Sequence, residues 1–254
     1  MSRSMFRVQL SRAYVLHQRP FRDSSLIVEV FARDHGRLTV FAHAARGPRS
    51  RFGTLQPFRA LLLSWSGRGE APTLSAAERA DMPAGAMADA AGLPAARLMS
   101  GFYLNELLLK LLTRHDPHPD LFDQYEATLG QLCRSPSAEA PLRVFETRLL
   151  EFIGYGLNLA AEADTGQPVR PDGHYHFRPG VHGFVVAEPA SPGAIPGHLL
   201  HGLAAGCEPI GEGQLRQARA LMRAALDHCL EGRELATRTV ARSLAGYPRK
   251  ERTA

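Results

Sequence analysis

Long apolar runs are missing from this sequence. No stretch approaches the roughly 20 residues of a membrane-spanning helix, and the start, Met1-Ser2-Arg3-Ser4-Met5-Phe6-Arg7, lacks the apolar stretch of a secretion signal. A cytoplasmic chain is expected. Cysteine is scarce: Cys133, Cys207 and Cys229 are odd in number and far apart. They supply neither a disulfide framework nor a four-thiolate zinc site, which leaves reduced, mostly buried thiols. Catalytic signatures are missing too. There is no G-x-x-x-x-G-K-[ST] loop for P-loop nucleotide hydrolysis, no G-x-S-x-G, and no cysteine in a recognisable catalytic setting. Asp23, Glu29 and Asp34 lie scattered among arginines and form no carboxylate pair. His174 and His176, at alternate strand positions, with His182, are the most tempting metal ligands. With no acid or thiol beside them, a surface hairpin is the expected reading, and His115 and His118 in a proline-rich loop are read likewise.

Lysine is almost absent: Lys110 and Lys250 stand against 28 arginines. The guanidinium fork fits phosphate and stacks on bases, although GC-rich coding also favours arginine codons. Acid is absent between His35 and Gly69, where Arg37, Arg46, Arg49, Arg51, Arg59 and Arg68 all fall. Residues 1–80, 81–214 and 215–254 carry +8, −8 and +5. An uncompensated positive stretch of this kind is the electrostatic footprint expected for a polyanion.

The 254 residues, 44% hydrophobic, can bury sizeable cores in one large domain or two to three small ones. The pattern predicts an α+β chain. Five short segments rich in Val, Leu, Phe and Tyr read as strands: 13–18, 26–31, 37–42, 58–65 and 72–78. Asp34-His35-Gly36 marks a hairpin turn between the second and third, and Gly67-Arg68-Gly69 turns into the fifth. Such a set predicts an OB-like barrel over 1–80, of the kind that tracks single strands with cationic grooves and aromatic platforms. Phe41, Phe52, Phe58 and Trp65 are the candidate aromatics, each read first as core, with Phe52, inside the basic loop, the strongest platform candidate. Residues 81–94 read as a linker. Helical periodicity predicts a bundle over 95–156 with helices near 95–113, 119–133 and 140–153. A small irregular insert with a β-hairpin is expected at 157–197, and the bundle resumes over 198–254 with helices near 214–230 and 234–244. Arg216, Arg219 and Arg223 make a basic stripe on the first of these last helices.

Several of these segments together resemble the bacterial RecO recombination mediators. They are Ala13-Tyr14-Val15-Leu16-His17, Arg19-Pro20-Phe21-Arg22-Asp23-Ser24-Ser25-Leu26, His35-Gly36-Arg37 ahead of Ala45-Arg46-Gly47, Leu55-Gln56-Pro57-Phe58 and Gly67-Arg68-Gly69-Glu70. Farther on come Ser100-Gly101-Phe102-Tyr103-Leu104-Asn105-Glu106-Leu107-Leu108, Leu142-Arg143-Val144-Phe145-Glu146, Leu149-Leu150 and Gly154-Tyr155-Gly156. The resemblance implies an N-terminal OB domain, a helical bundle and a zinc-ribbon-like insert. It also implies a non-enzymatic role without a cofactor: binding single- and double-stranded DNA, annealing complementary strands, and assisting RecA onto DNA coated by single-strand-binding protein, with RecR as partner. Two departures stand out. Zinc-holding relatives carry two C-x-x-C pairs in the insert, which here has no cysteine and is expected to be metal-free. His43 also replaces basic character before Arg46.

DNA binding is accordingly expected at Arg37, Arg46, Arg49, Arg51 and Arg68, with Arg238 in the family's C-terminal basic segment. Arg143, flanked by Leu142 and Phe145, is the expected receptor for the C-terminal carboxylate and phenylalanine of the single-strand-binding protein tail. The alternatives are an RNA-binding OB protein and a nuclease with an OB domain; the latter needs clustered acids for metal ions.

Overall fold

The computed structural model describes residues 6–46, 50, 52, 55–69, 71–80, 92–207 and 211–245. Five strands close into a barrel in the order β1-β2-β3-β5-β4: β1 Phe6–Phe21, β2 Ser25–Ala32, β3 Gly36–Ala42, β4 Leu61–Gly67 and β5 Thr73–Arg79. Alternation decides what faces in. Val28, Val30, Leu38, Val40, Ala42, Leu61, Leu63, Trp65 and Leu74 fill the interior, as a small barrel's side chains must. Phe52 joins them at 4% exposure, and Phe58 is equally buried. Neither is an aromatic platform.

β1 begins at Phe6 and not at Ala13, because one long strand serves two neighbours. Its first half pairs with β4, from Phe6 opposite Gly67 to Ala13 opposite Leu61, and its second with β2, from Ala13 opposite Ala32 to Phe21 opposite Ser25. Register shifts at Val8/Ser11 and Val15/His17 bend it between its two neighbours. Leu10, at φ 50°, sits in the first of these. Gly36 closes the β2–β3 hairpin at φ 65°, where an added Cβ would come within 2.1 Å of the Asp116 carbonyl oxygen.

Beyond the barrel lie α1 Leu98–Leu111, α2 Pro119–Arg134, α3 Glu139–Phe152, α4 Gly197–Ala204, α5 Glu212–Leu230 and α6 Ala236–Ala245. Compact units cut across the divisions drawn from composition. One comprises residues 1–117 with 233–254, the other 118–232. Helix α1 thus belongs with the barrel. Buried Asn105 donates from Nδ2 to the Leu16 carbonyl at 2.9 Å, beside the second β1 irregularity. Helix α6 joins the same unit through Glu106, whose carboxylate accepts from the N–H groups of Ala236 and Thr237 and from the Thr237 hydroxyl at 2.6–2.9 Å. The first turn of α6 is capped from α1 instead of by the residues that precede it. A 3.6-residue period exposes α1's apolar face but not the partner that covers it.

In the second unit α2, α3, α4 and α5 pack around Leu121, Phe122, Tyr125, Phe145, Leu149, Leu199, Leu203, Leu221, Met222 and Leu226. Pro119 opens α2 at its first position, where the missing N–H costs nothing. The insert carries the expected hairpin, β6 His174–Arg178 and β7 Gly183–Val186, plus β8 Ile195–Pro196, in the order β7-β6-β8. Its residues do not fit a zinc ion. No cysteine lies between Gly156 and Gly197, and among the described residues no group of three or more His, Cys, Asp or Glu converges. Buried Tyr175 and Phe184 organise it instead, the Tyr175 hydroxyl accepting from the Arg170 N–H at 2.8 Å. Gly197 lets β8 pass close by, since a Cβ there would lie 1.9 Å from the Arg170 oxygen. His182 stacks beside Tyr155 and His228, with ring centroids 4.9 and 5.9 Å away.

Candidate nucleic-acid interface

The barrel's register defines its exterior. Arg19 lies opposite Ile27, Ile27 opposite Phe41, Phe41 opposite Thr73, Thr73 opposite Ser66, and Ser66 opposite Arg7. Directly opposed residues point to the same side of a sheet. The inward neighbours of this row, Val28, Val40, Ala42, Trp65 and Leu74, confirm that it faces out. At 4.7–4.9 Å per strand the row winds about 24 Å around the barrel. It returns to β1 twelve residues earlier, the stagger a closed barrel imposes. Arginine stands at both ends of this belt and a half-buried phenylalanine near its middle.

Turns thicken the belt with charge. Arg22 sits in the β1–β2 turn at φ 54°, and Arg46 docks onto that turn. The Arg46 N–H donates to the Ser24 carbonyl at 2.9 Å, and its Nη1 lies 3.4 Å from the carbonyls of both Arg22 and Asp23. Arg68 occupies the β4–β5 turn, which reaches β3 through the Phe41 N–H donating to the Pro72 carbonyl at 2.9 Å. Arg7, Arg19, Arg22, Arg46 and Arg68 are all exposed. Among the described residues, no carboxylate pairs with Arg7, Arg19, Arg22 or Arg68. His43, also exposed, lies 3.4 Å by its Nδ1 from the Ser25 hydroxyl. The sole acid in the β1–β2 turn is Asp23.

Arg46 and Arg68, expected from sequence, belong to this belt. Arg49 and Arg51 lie outside the described residues. Arg37 lies off the row of the belt, opposite Phe31 on β2. Its guanidinium donates from Nη1 to the Leu109 carbonyl at 2.7 Å, satisfying a carbonyl in the last turn of α1. Half-burial and the neighbouring Arg114 cation lower its pKa, and Glu29 opposes them. Arg114 in turn pairs with Glu29 at 2.8 Å and hydrogen-bonds Thr39. Arg7, Arg19 and Arg22 escape a reading by acid-free stretches because they precede it in sequence. Barrel closure brings them to it.

Arg238 is half-buried near the start of α6. On α5 the basic stripe is broken up, Arg219 pairing with Glu139 at 2.9 Å and Arg223 with Asp227 at 3.9 Å. Arg216 remains exposed.

Arg143 lies inside the helical unit. It is 3% exposed, with Nη2 at 2.7 Å from the Glu146 carboxylate, itself 1% exposed, and Nη1 at 3.4 Å from Glu139. Phe145 is fully buried, edge-on to Tyr125 with centroids 6.2 Å apart, and Leu142 is half-buried. With Nη1 and Nη2 directed at two carboxylates and Nε buried without a partner, the guanidinium presents no exposed fork to an incoming carboxylate. Burial pushes the Cys207 and Cys229 thiols up to about 11, so neither presents a thiolate near neutral pH.

Comparison with known proteins covers both units. Residues 5–82 match the family described as Recombination protein O N terminal, and residues 95–239 match Recombination protein O C terminal. A protein of Alkalilimnicola ehrlichii named DNA repair protein RecO is 47% identical over 246 residues, spanning 96% of this chain and 94% of that protein. Proteins of the same name from Methylococcus capsulatus and Laribacter hongkongensis are 42% and 40% identical, covering 93% and 94% of this chain and 94% and 96% of their own lengths.

Proposed function

The chain belongs to the RecO family of DNA repair and recombination proteins, and on that premise we propose that the basic belt of its barrel binds DNA and brings complementary strands together. In this reading it takes single- and double-stranded DNA and assists RecA onto DNA coated by single-strand-binding protein. RecR and the acidic tail of single-strand-binding protein are its protein partners. The observation that carries the reading is the belt itself: five exposed arginines from β1, the β1–β2 and β4–β5 turns and the segment after β3, with Asp23 as the acid of the β1–β2 turn.

The mechanism requires charge and no bond chemistry. Two strands repel each other through their phosphates, and each arginine that takes a phosphate releases condensed counterions and removes part of that repulsion. Once bases can meet, pairing supplies the driving force. No covalent bond forms or breaks, so no catalytic group is assigned. Tail recruitment is assigned to the helical unit, but Arg143 is not its first contact, because it is 3% exposed and its two terminal nitrogens face Glu139 and Glu146.

Fluorescence-resolved annealing of complementary oligonucleotides tests this reading, with bare strands and with strands coated by single-strand-binding protein. Acceleration of both, unaffected by EDTA, is expected. Strand cleavage that EDTA abolishes would instead mark a nuclease, and equal acceleration of RNA strands would favour the RNA-binding alternative. No acceleration at all would contradict the proposal.

A further inference from the structure

We propose that Phe21 and Phe41 form a stacking subsite for an unpaired nucleobase on the belt, an inference that rests on the DNA-binding reading and adds to it a preference for single strands. Both rings lie outside the barrel. Phe41 alternates with Val40 and Ala42, which are wholly buried inside, and its own ring is half-buried, as is that of Phe21. The two ring centroids are 5.6 Å apart with planes inclined at 52°. The Arg22 guanidinium carbon stands 5.2 Å from the Phe21 centroid.

Other outward aromatics of the barrel have a cover. Tyr14 and Phe31, directly opposed across β1 and β2, are fully buried on the stretch of β1 to which α1 docks through Asn105. Phe21 and Phe41 keep open surface at the point where two cationic turns meet. Arg46 holds the β1–β2 turn from one side, and the Arg68 turn reaches Phe41 through Pro72 on the other. A half-open aromatic face between guanidinium groups is the arrangement that holds a base by its π-face and the adjoining phosphates by charge.

The ligand class follows from geometry. In a duplex each base is stacked on its neighbours and offers no face, so the subsite takes single strand. Every base has a π-face, so little sequence preference is expected. Annealing also acquires a release step: a base that enters a pair leaves the ring, and the duplex keeps only the phosphate contacts.

The test uses the full chain and three probes of equal length: a thymidine oligomer, an oligomer of abasic sites and a duplex, with affinity read by fluorescence anisotropy. Phe21→Leu and Phe41→Leu keep apolar cover over the strands but remove the ring. Each is expected to weaken binding of the thymidine oligomer by on the order of tenfold without changing its salt slope, and to leave the abasic oligomer and the duplex unaffected. Phe41→Trp should match or exceed the parent on the thymidine oligomer. Equal losses on thymidine and abasic oligomers, or equal affinities of Phe41→Leu and Phe41→Trp, would overturn the subsite. Failure of the underlying reading looks different: Arg19→Ala with Arg22→Ala and Arg68→Ala would then leave all three probes unaffected.

Discussion

Replacing Arg143 by alanine should destabilise the helical unit far more than it alters DNA binding. The guanidinium is 3% exposed and lies 2.7 Å from a Glu146 carboxylate that is 1% exposed, with Glu139 as a second partner. Removing one member of a buried pair strands the other in low dielectric, at a cost of about 3–5 kcal/mol. For a unit spanning residues 118–232, at roughly 3–5 °C per kcal/mol, that corresponds to a fall in Tm of about 10–20 °C. Far-UV circular dichroism during heating reads it directly. Removing both charges, as Arg143→Met with Glu146→Leu, should recover most of the loss, because well-packed apolar isosteres often match a buried pair; Glu139 keeps Arg219 at 2.9 Å. The structural role fails if Arg143→Ala melts like the parent and loses affinity for an acidic peptide ending in phenylalanine. That outcome would return Arg143 to the role of tail receptor.

Two further substitutions probe the barrel unit. Burial acts to raise the Glu106 pKa, but hydrogen bonds from the Thr237 hydroxyl, the Thr237 and Ala236 N–H groups and the nearby Lys110 outweigh it and hold the carboxyl below its ordinary value. Its contribution is therefore complete above the unfolded pKa of about 4.3 and is lost as pH falls through the lower folded value. Protection of the Ala236 and Thr237 amides, taken relative to the intrinsic exchange rate at each pH, should fall on acidification, and Glu106→Ala should lower it at neutral pH by the equivalent of about 1 kcal/mol; unchanged protection would refute the cap. Gly36→Ala should cost at least about 1–2 kcal/mol in urea unfolding, from the left-handed backbone alone, with the Asp116 overlap added to it. A neutral effect would mean the turn relaxes freely.

Local patterns carried the strands and most helices. β2 and β3, with Gly36 between them, are visible as alternation around a turn, and the Pro119 start of α2 is visible as punctuation. The first half of β1 does alternate, as Phe6-Arg7-Val8-Gln9-Leu10, but the irregularity at Leu10 and the polar Ser11-Arg12 break the pattern before Ala13 and hide that the two halves are one strand. The acid-free stretch pointed to Arg46 and Arg68, but residues close in sequence can diverge in space. Arg37 shares that stretch and serves α1, an element 72 residues away in the chain. Conversely Arg7 and Arg19 are twelve positions apart on β1, and only the stagger of the closed barrel places them in one row. Arg143 did carry a readable signal: Glu139 and Glu146 lie at i−4 and i+3, the spacing of helical ion pairs. Which of those pairs is buried depends on packing against other elements and has no local mark.

Phosphate neutralisation by the belt is read most directly from the salt dependence of binding. Affinity for a single-stranded oligonucleotide should be measured across a salt series for the parent and for a variant with Arg7, Arg19, Arg22 and Arg68 changed to alanine. The slope of log affinity against log salt should fall by about 0.7 for each phosphate that is no longer neutralised, with circular dichroism unchanged. An undiminished slope in a folded variant would contradict the belt as the DNA-binding surface.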